Sequence, residues 1–141
     1  KRDFNCILRK NIHYFGAKVQ KMNVTIRHSD FSDIDLEKNK NIFVYCDPPY
    51  LLGLASYNEN NAWNENEENK LLSFLLTLNK KGIKFALSNV IEHKGFKNEL
   101  LEKWIKENKF NVHHINSNYK NSNYQLKMNK FKTKEILVTN Y

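Results

Sequence analysis

Apolar residues recur along this chain with two different periods. Between Glu65 and Lys80, the leucines Leu71, Leu72, Leu75, Leu76 and Leu78 fall at helical spacing. Acidic Glu65, Glu67 and Glu68 crowd the start of that segment, and Lys80 and Lys81 its end, as a helix dipole favours. Gly82 is placed to stop the helix. A second helix is predicted from Phe96 to Asn108, with Leu100, Leu101, Trp104 and Ile105 on one side. A third, weakened by Gly16, is predicted within residues 1–22, where Phe4, Ile7, Leu8, Ile12 and Phe15 roughly keep the period.

The strand-like segments are shorter. Val24-Thr25-Ile26 is a candidate strand that ends near Asp30-Phe31. Ile42-Phe43-Val44-Tyr45-Cys46 is a run of five apolar or aromatic residues, the pattern of a strand buried on both faces. Ile83 to Ser88, Phe110 to Ile115 and Glu135 to Asn140 read as three more. Asn-rich loops are expected from Tyr50 to Asn64 and from Asn116 to Asn129. Strands alternating with helices predict an α/β layer with a largely parallel sheet. No helix separates the last two strands, so they are expected to pair antiparallel.

Composition narrows the class. The 141 residues fit one domain, with 40% hydrophobic and 27% charged residues, as in a soluble globular chain. No apolar run reaches the roughly 20 residues of a membrane span, and no signal-peptide pattern follows Lys1. The formal net charge of +8 favours polyanions, nucleic acid first, although solubility alone also accounts for it. Cys6 and Cys46 form no CxxC pair, which suits reduced thiols in the cytoplasm. The five histidines, including His113-His114, show no metal-ligand spacing, so no metal is expected.

The densest chemistry is Asp47-Pro48-Pro49-Tyr50, directly after the Ile42–Cys46 run. Ligands of open α/β sheets bind beyond the carboxyl ends of strands, where Asp47 stands. A residue before proline is pushed into an extended conformation, so Asp47 and Pro48 are both expected to be extended. The prolines donate no backbone hydrogen bond, leaving the Pro48 carbonyl as an acceptor at a fixed place. Two acceptors holding the two hydrogens of an adenine-type amine favour a pyramidal nitrogen, whose lone pair then points at an electrophile. That is positioning and electrostatic preorganisation rather than base catalysis. Tyr50 supplies a ring on which a base taken out of its duplex can stack. The bland alternative is a strand-to-loop turn that Pro-Pro merely terminates.

From about Val24 to Tyr141 the chain resembles the Dam-type, or D12-class, DNA adenine-N6 methyltransferases. The resemblance is carried by Phe43 to Tyr50, Tyr57-Asn58, Gly82 to Val90, Asn118-Tyr119 through Asn123-Tyr124, and Glu135 to Tyr141. It implies a Rossmann-like class I methyltransferase sheet, mostly parallel with an antiparallel last strand, and S-adenosyl-L-methionine as cofactor. It further implies catalytic roles for Asp47, Pro48 and Tyr50. Cofactor contacts would come from Asp30, Phe31, Asp47 and Tyr57, and substrate contacts from Pro49, Tyr50, Ser88 and Asn89, with Ser88-Asn89 at the end of their strand. Double-stranded DNA is the implied partner. Alternatives for several of these are structural: a core role for Phe31, a surface role for Tyr57, a strand-end cap for Ser88-Asn89. Trp63 is expected to pack its loop, and Lys120, Lys127, Lys130 and Lys132 to contact phosphate or solvent.

One departure from the family matters. Its Gly-rich cofactor loop is missing, because the four glycines stand apart at positions 16, 53, 82 and 95. The chain therefore looks like a carboxyl-terminal half, with residues 23–141 the catalytic half and 1–22 the end of a target-recognition region. An N-terminal half carrying the Gly-rich loop is the expected partner. Two other readings stay open: a noncatalytic DNA-binding remnant, and a methyltransferase for RNA adenine, cytosine N4 or protein glutamine.

Overall fold

The computed structural model describes residues 6–34, 36, 41–52, 63–115 and 133–141. Two compact units divide the chain, Lys1–Asp30 and Phe31–Tyr141. The first contains helix α1 (Cys6–Lys21), which holds no acidic residue in its first turn and ends on Lys18 and Lys21. Its apolar residues Leu8, Ile12 and Phe15 are exposed. The strand expected at Val24–Ile26 is not formed: the segment is extended coil, with Ile26 88% exposed. β-branched residues favour a strand only where a neighbouring strand pairs with them, and none does so here among the described residues.

The second unit holds β1 (Phe43–Cys46), α2 (Glu65–Lys80), β2 (Lys84–His93), β3 (Phe96–Lys97), α3 (Glu99–Asn108), β4 (Asn111–Ile115) and β5 (Thr133–Thr139). The sheet order is β1-β2-β5-β4, with the short β3 paired to β2. β1 lies parallel to β2, whereas β5 runs antiparallel to both β2 and β4. Three main strands thus share one direction, and the last is reversed between two of them. This is a mixed α/β sheet of the predicted kind, including the antiparallel pairing of the last two strands.

Helix α2 starts where Asn64 accepts hydrogen bonds from the amides of Asn66 and Glu67 at 2.9 and 3.2 Å. That cap satisfies amide donors the helix itself cannot. Its inward stripe is Glu68, Leu71, Leu72, Leu75 and Leu78, all buried. Gly82, at a φ of +71°, provides the left-handed turn into β2. Phe85, Leu87, Ile136 and Val138 from one sheet face join the leucines of α2 and Leu101, Trp104 and Ile105 of α3 in one core. Phe85, Trp104 and Phe110 form an aromatic cluster with ring centroids 4.7–6.3 Å apart. Asn140 fastens the end of β5: its Oδ1 accepts from the Phe85 amide at 2.8 Å, and its Nδ2 donates to the Ile83 carbonyl at 3.0 Å.

Three expectations are corrected. β1 is not buried on both faces; Phe43 and Tyr45 are 54% and 58% exposed, while Val44 and Cys46 are half-buried. The reason is position, because β1 lies at the edge of the sheet and only β2 flanks it. β2 does not end at Ser88 but continues to His93. Its extension turns back at Lys94 and Gly95, both with positive φ, into β3, the conformation of a tight hairpin. Phe96 and Lys97 are therefore strand, and α3 begins later, with Asn98 as its cap accepting from the Leu101 amide at 3.1 Å. The loop expected at 116–129 lies outside the described residues.

Two predictions concern this framework. Leu75 is fully buried in the α2 stripe, so Leu75→Ala should cost about 2–5 kcal/mol of unfolding free energy in urea denaturation. Lys109 closes α3 at a φ of 55°. Lys109→Gly removes the side-chain crowding of that conformation and should raise stability by roughly 0.5–1 kcal/mol, read as a higher denaturation midpoint at unchanged slope.

Candidate active site at the carboxyl end of the first strand

The register Cys46↔Leu87 is the last rung between β1 and β2. The chain then leaves the sheet as Asp47-Pro48-Pro49-Tyr50, which holds no regular element. A cavity of about 560 Å³ lies along β1 and the turn that follows it. That lies within the range of about 300–1,000 Å³ usual for small-ligand pockets. Asp47, Pro48 and Pro49 line it, together with Cys46, Phe31, Trp63 and Phe74. Asp47 is exposed, and the two prolines are half-buried.

Part of the cavity wall is aromatic. Phe31 sits in a short 3-10 turn, Phe31–Asp33. Its ring lies 5.7 Å from that of Phe74, edge to face, and 6.4 Å from that of Trp63. The Lys70 ammonium stands 5.4 Å over the Phe31 ring, close enough for a cation–π contact. A largely apolar, partly aromatic lining that includes one carboxylate suits a planar heterocycle attached to a cationic or polar group. Burial pushes the Cys46 thiol above its usual pKa, so it remains a neutral wall residue.

Tyr50 faces a different side. It does not line the cavity; its hydroxyl lies 3.3 Å from Asp47 Oδ1 and 3.4 Å from Ser88 Oγ. Burial is the leading cause that raises the phenol above its usual pKa, which keeps it neutral, while the hydrogen bond with Ser88 works against that rise. The tetrapeptide thus offers the cavity a carboxylate and two prolines, and holds its aromatic ring against β2.

Of the residues singled out in the sequence, Phe31, Asp47, Pro48 and Pro49 meet at the cavity, and Tyr50 and Ser88 meet beside it. Asp30 is exposed and ends the first unit, whereas Phe31 opens the second. Tyr57 lies outside the described residues, as do Lys120, Lys127, Lys130 and Lys132. Ser88 and Asn89 do not end their strand. As neighbours in the middle of β2, they point to opposite faces. Asn89 is fully buried; its Nδ2 donates to Glu68 Oε1 at 2.9 Å and its Oδ1 accepts from the Val90 amide at 2.7 Å. A substrate contact by Asn89 is therefore replaced by an internal one.

Trp63 and Phe74 are cavity residues that sequence reasoning missed. Trp63, expected only to pack its loop, donates from Nε1 to Glu68 Oε2 at 2.8 Å. The available signal was phase: Glu68 precedes Leu71, Leu72 and Leu75 by three, four and seven residues, which places a carboxylate on the buried stripe. Among the described residues, no cluster of His, Cys, Asp and Glu is arranged to hold a metal ion, and no helix is long and apolar enough to cross a membrane.

Three relatives are similar to the chain in sequence. The chain is 41% identical over 143 residues to the type II methyltransferase M.FokI of Planomicrobium okeanokoites, an alignment covering 98% of this chain and 22% of that protein. It is 40% identical over 139 residues to the modification methylase StsI of Streptococcus sanguinis, covering 95% and 21%. To the modification methylase LlaI of Lactococcus lactis subsp. lactis it is 39% identical over 123 residues, covering 84% and 18%. The chain thus spans about a fifth of the length of these relatives. Residues 1–121 match the family model of the D12 class N6 adenine-specific DNA methyltransferases, and the chain belongs to that family.

Proposed function

We propose that this chain carries the amine-gripping strand of an enzyme that methylates the N6 amino group of adenine in double-stranded DNA, with S-adenosyl-L-methionine as methyl donor. The observation that carries this reading is the placement of Asp47 and Pro48 beyond the end of β1, at an aromatic-walled cavity. Phe31, Phe74 and Trp63 fit the flat adenine of the cofactor, and Asp47 fits the charged end next to it. When bound, the cofactor supplies an electrophilic methyl group. The Asp47 carboxylate and the Pro48 carbonyl accept the two hydrogens of the target amine and orient its lone pair toward the cavity. The Tyr50 ring, held by Ser88 and Asp47, stacks on the flipped base. Once the nitrogen carries the methyl group it is cationic and acidic, and its extra proton passes to water.

The finer fold reading belongs here as well. The β5 strand inserted antiparallel between β2 and β4 suits the carboxyl-terminal half of a Rossmann-like class I methyltransferase sheet, spanning residues 23–141. Residues 1–22 are assigned to the end of the target-recognition region. The exposed edge of β1 and the absent Gly-rich loop support completion of the site by a further segment with that loop. Such a segment would add strands beside β1 and close the cofactor cavity.

The direct test is transfer of labelled methyl groups from S-adenosyl-L-methionine to DNA, with the chain alone and with a family segment bearing the Gly-rich loop. Transfer should appear on complementation, with N6-methyladenine as the product. Asp47→Ala should lower the rate by roughly 10²–10³-fold, the usual effect of removing one preorganised group. Tyr50→Phe keeps the ring and loses only the hydroxyl contacts, so its rate should fall by no more than about tenfold, on the order of one weak hydrogen bond. Complemented transfer that survives Asp47→Ala would refute the site. DNA retention without any complemented transfer would support a binding-only remnant instead.

A further inference from the structure

Glu68 is a carboxylate with no measurable exposure, on a helix stripe otherwise made of leucine. It engages three separate parts of the unit. Oε2 accepts from the Trp63 indole at 2.8 Å, and Oε1 accepts from Asn89 Nδ2 at 2.9 Å and Asn98 Nδ2 at 3.5 Å. Trp63 precedes α2, Asn89 lies in the middle of β2, and Asn98 caps α3. The groups that face the carboxylate from these elements are all neutral donors. Burial raises its pKa, and the three donors, Trp63 first, pull the other way.

The arrangement has a direction. Trp63 is a wall of the cavity, and its ring meets Phe31. Asn89 neighbours Ser88, which holds Tyr50 from the opposite face of β2. Both sides of the site are therefore referred to one point of β2, the Tyr50 side through Ser88 and the aromatic wall through Asn89 and Glu68. We infer that Glu68 is a positioning residue: its carboxylate fixes the orientation of Trp63 and so sets the aromatic wall that receives the adenine of S-adenosyl-L-methionine. This rests on the reading of the cavity as the cofactor site. Glu68 touches neither substrate nor cofactor. A leucine in its place would pack the stripe and leave Trp63 unanchored. A glutamine would keep the volume but offer one acceptor oxygen instead of two; Asn89 and Asn98 commit their own oxygens to the Val90 and Leu101 amides and present only donors, so that oxygen goes to them and Trp63 loses its acceptor.

Indole ¹⁵N–¹H spectra of the protein test this without disturbing the core. The chain has two tryptophans, Trp63 and Trp104, and the Trp104 Nε1 has no hydrogen-bond partner among the described residues. Trp63→Phe assigns the peaks. On acid titration, the Trp63 resonance should move with a midpoint above the ordinary glutamate value of 4.5, and the transition should vanish in Glu68→Gln. In parallel, Glu68→Gln and Trp63→Phe should each weaken S-adenosyl-L-methionine binding about tenfold, the scale of one hydrogen bond to a charged group. The double variant should be no weaker than either single one, because both act through the same contact. A Trp63 resonance that titrates identically in Glu68→Gln, or cofactor affinity unchanged by that substitution at an unchanged melting temperature, would overturn the inference. If the unaltered chain binds no cofactor, alone or complemented, while the Trp63 transition is present and disappears in Glu68→Gln, the anchoring of the wall stands and the cofactor reading fails.

Discussion

Strand β2 is buried continuously from Phe85 to Val90, and the other parts of the site take their positions from it. Its parallel register with β1 fixes where the sheet releases Asp47. Its antiparallel register with β5 places the reversed strand beside it. Its alternating side chains do separate jobs: Phe85 and Leu87 fill the core, Ser88 meets Tyr50, and Asn89 meets Glu68. A one-residue slip of β2 would exchange all of these at once, because neighbours on a strand face opposite ways. The buried apolar residues hold the register, and the register places the polar ones.

The same sheet shows where its support ends. β1 has β2 on one side, and among the described residues nothing pairs with its other edge. An edge strand presents unpaired backbone donors and acceptors, and natural folds usually shield them with charge, proline or a covering element. β1 instead exposes the rings of Phe43 and Tyr45. Proline enters only after Cys46, where the ladder has finished. An aromatic, uncharged edge next to a carboxylate-bearing turn is a poor solvent surface and a good docking edge. The chain covers only about a fifth of relatives such as M.FokI. Both facts are in keeping with the proposal above that a further segment completes the site.

Much of this fold was legible because its elements are strongly patterned. The α2 boundaries follow from the acidic start, the lysine end and Gly82, and the structure places the helix at Glu65–Lys80. The aromatic run before Asp47 identified β1, but not its exposure, since an apolar run reads the same whether its neighbours are present or absent. Val24–Ile26 failed for the related reason that strand propensity is realised only by pairing. The extension of β2 is not visible in the apolar pattern, because it depends on the positive φ values of Lys94 and Gly95, which make a hairpin that returns to the same strand. The position of Asp47 and the prolines just beyond a strand end was legible from the apolar run that precedes them. Asn89 was misassigned because a strand-end position was assumed, and a side chain's face depends on register, which one sequence does not print.

Glu68 shows the limit most clearly, because two rules competed for it. As an acid in the first turn of a helix it complements the dipole and needs no further explanation. As a member of a leucine stripe it must be buried, where a lone carboxylate is costly. The second rule won, and three donors offset much of that cost. Leucine at this position would bury apolar surface without desolvating a charge, yet it would leave three buried or half-buried donors without their acceptor, each at a cost of about 1–3 kcal/mol. The carboxylate is therefore inseparable from its partners: removing it alone is unfavourable, whereas replacing the whole group by apolar residues of the same shape can be nearly neutral. A charge held in such a cluster contributes little that apolar packing could not supply, except direction. Here the direction it gives is that of the Trp63 ring, at the wall of the cavity that Asp47 lines.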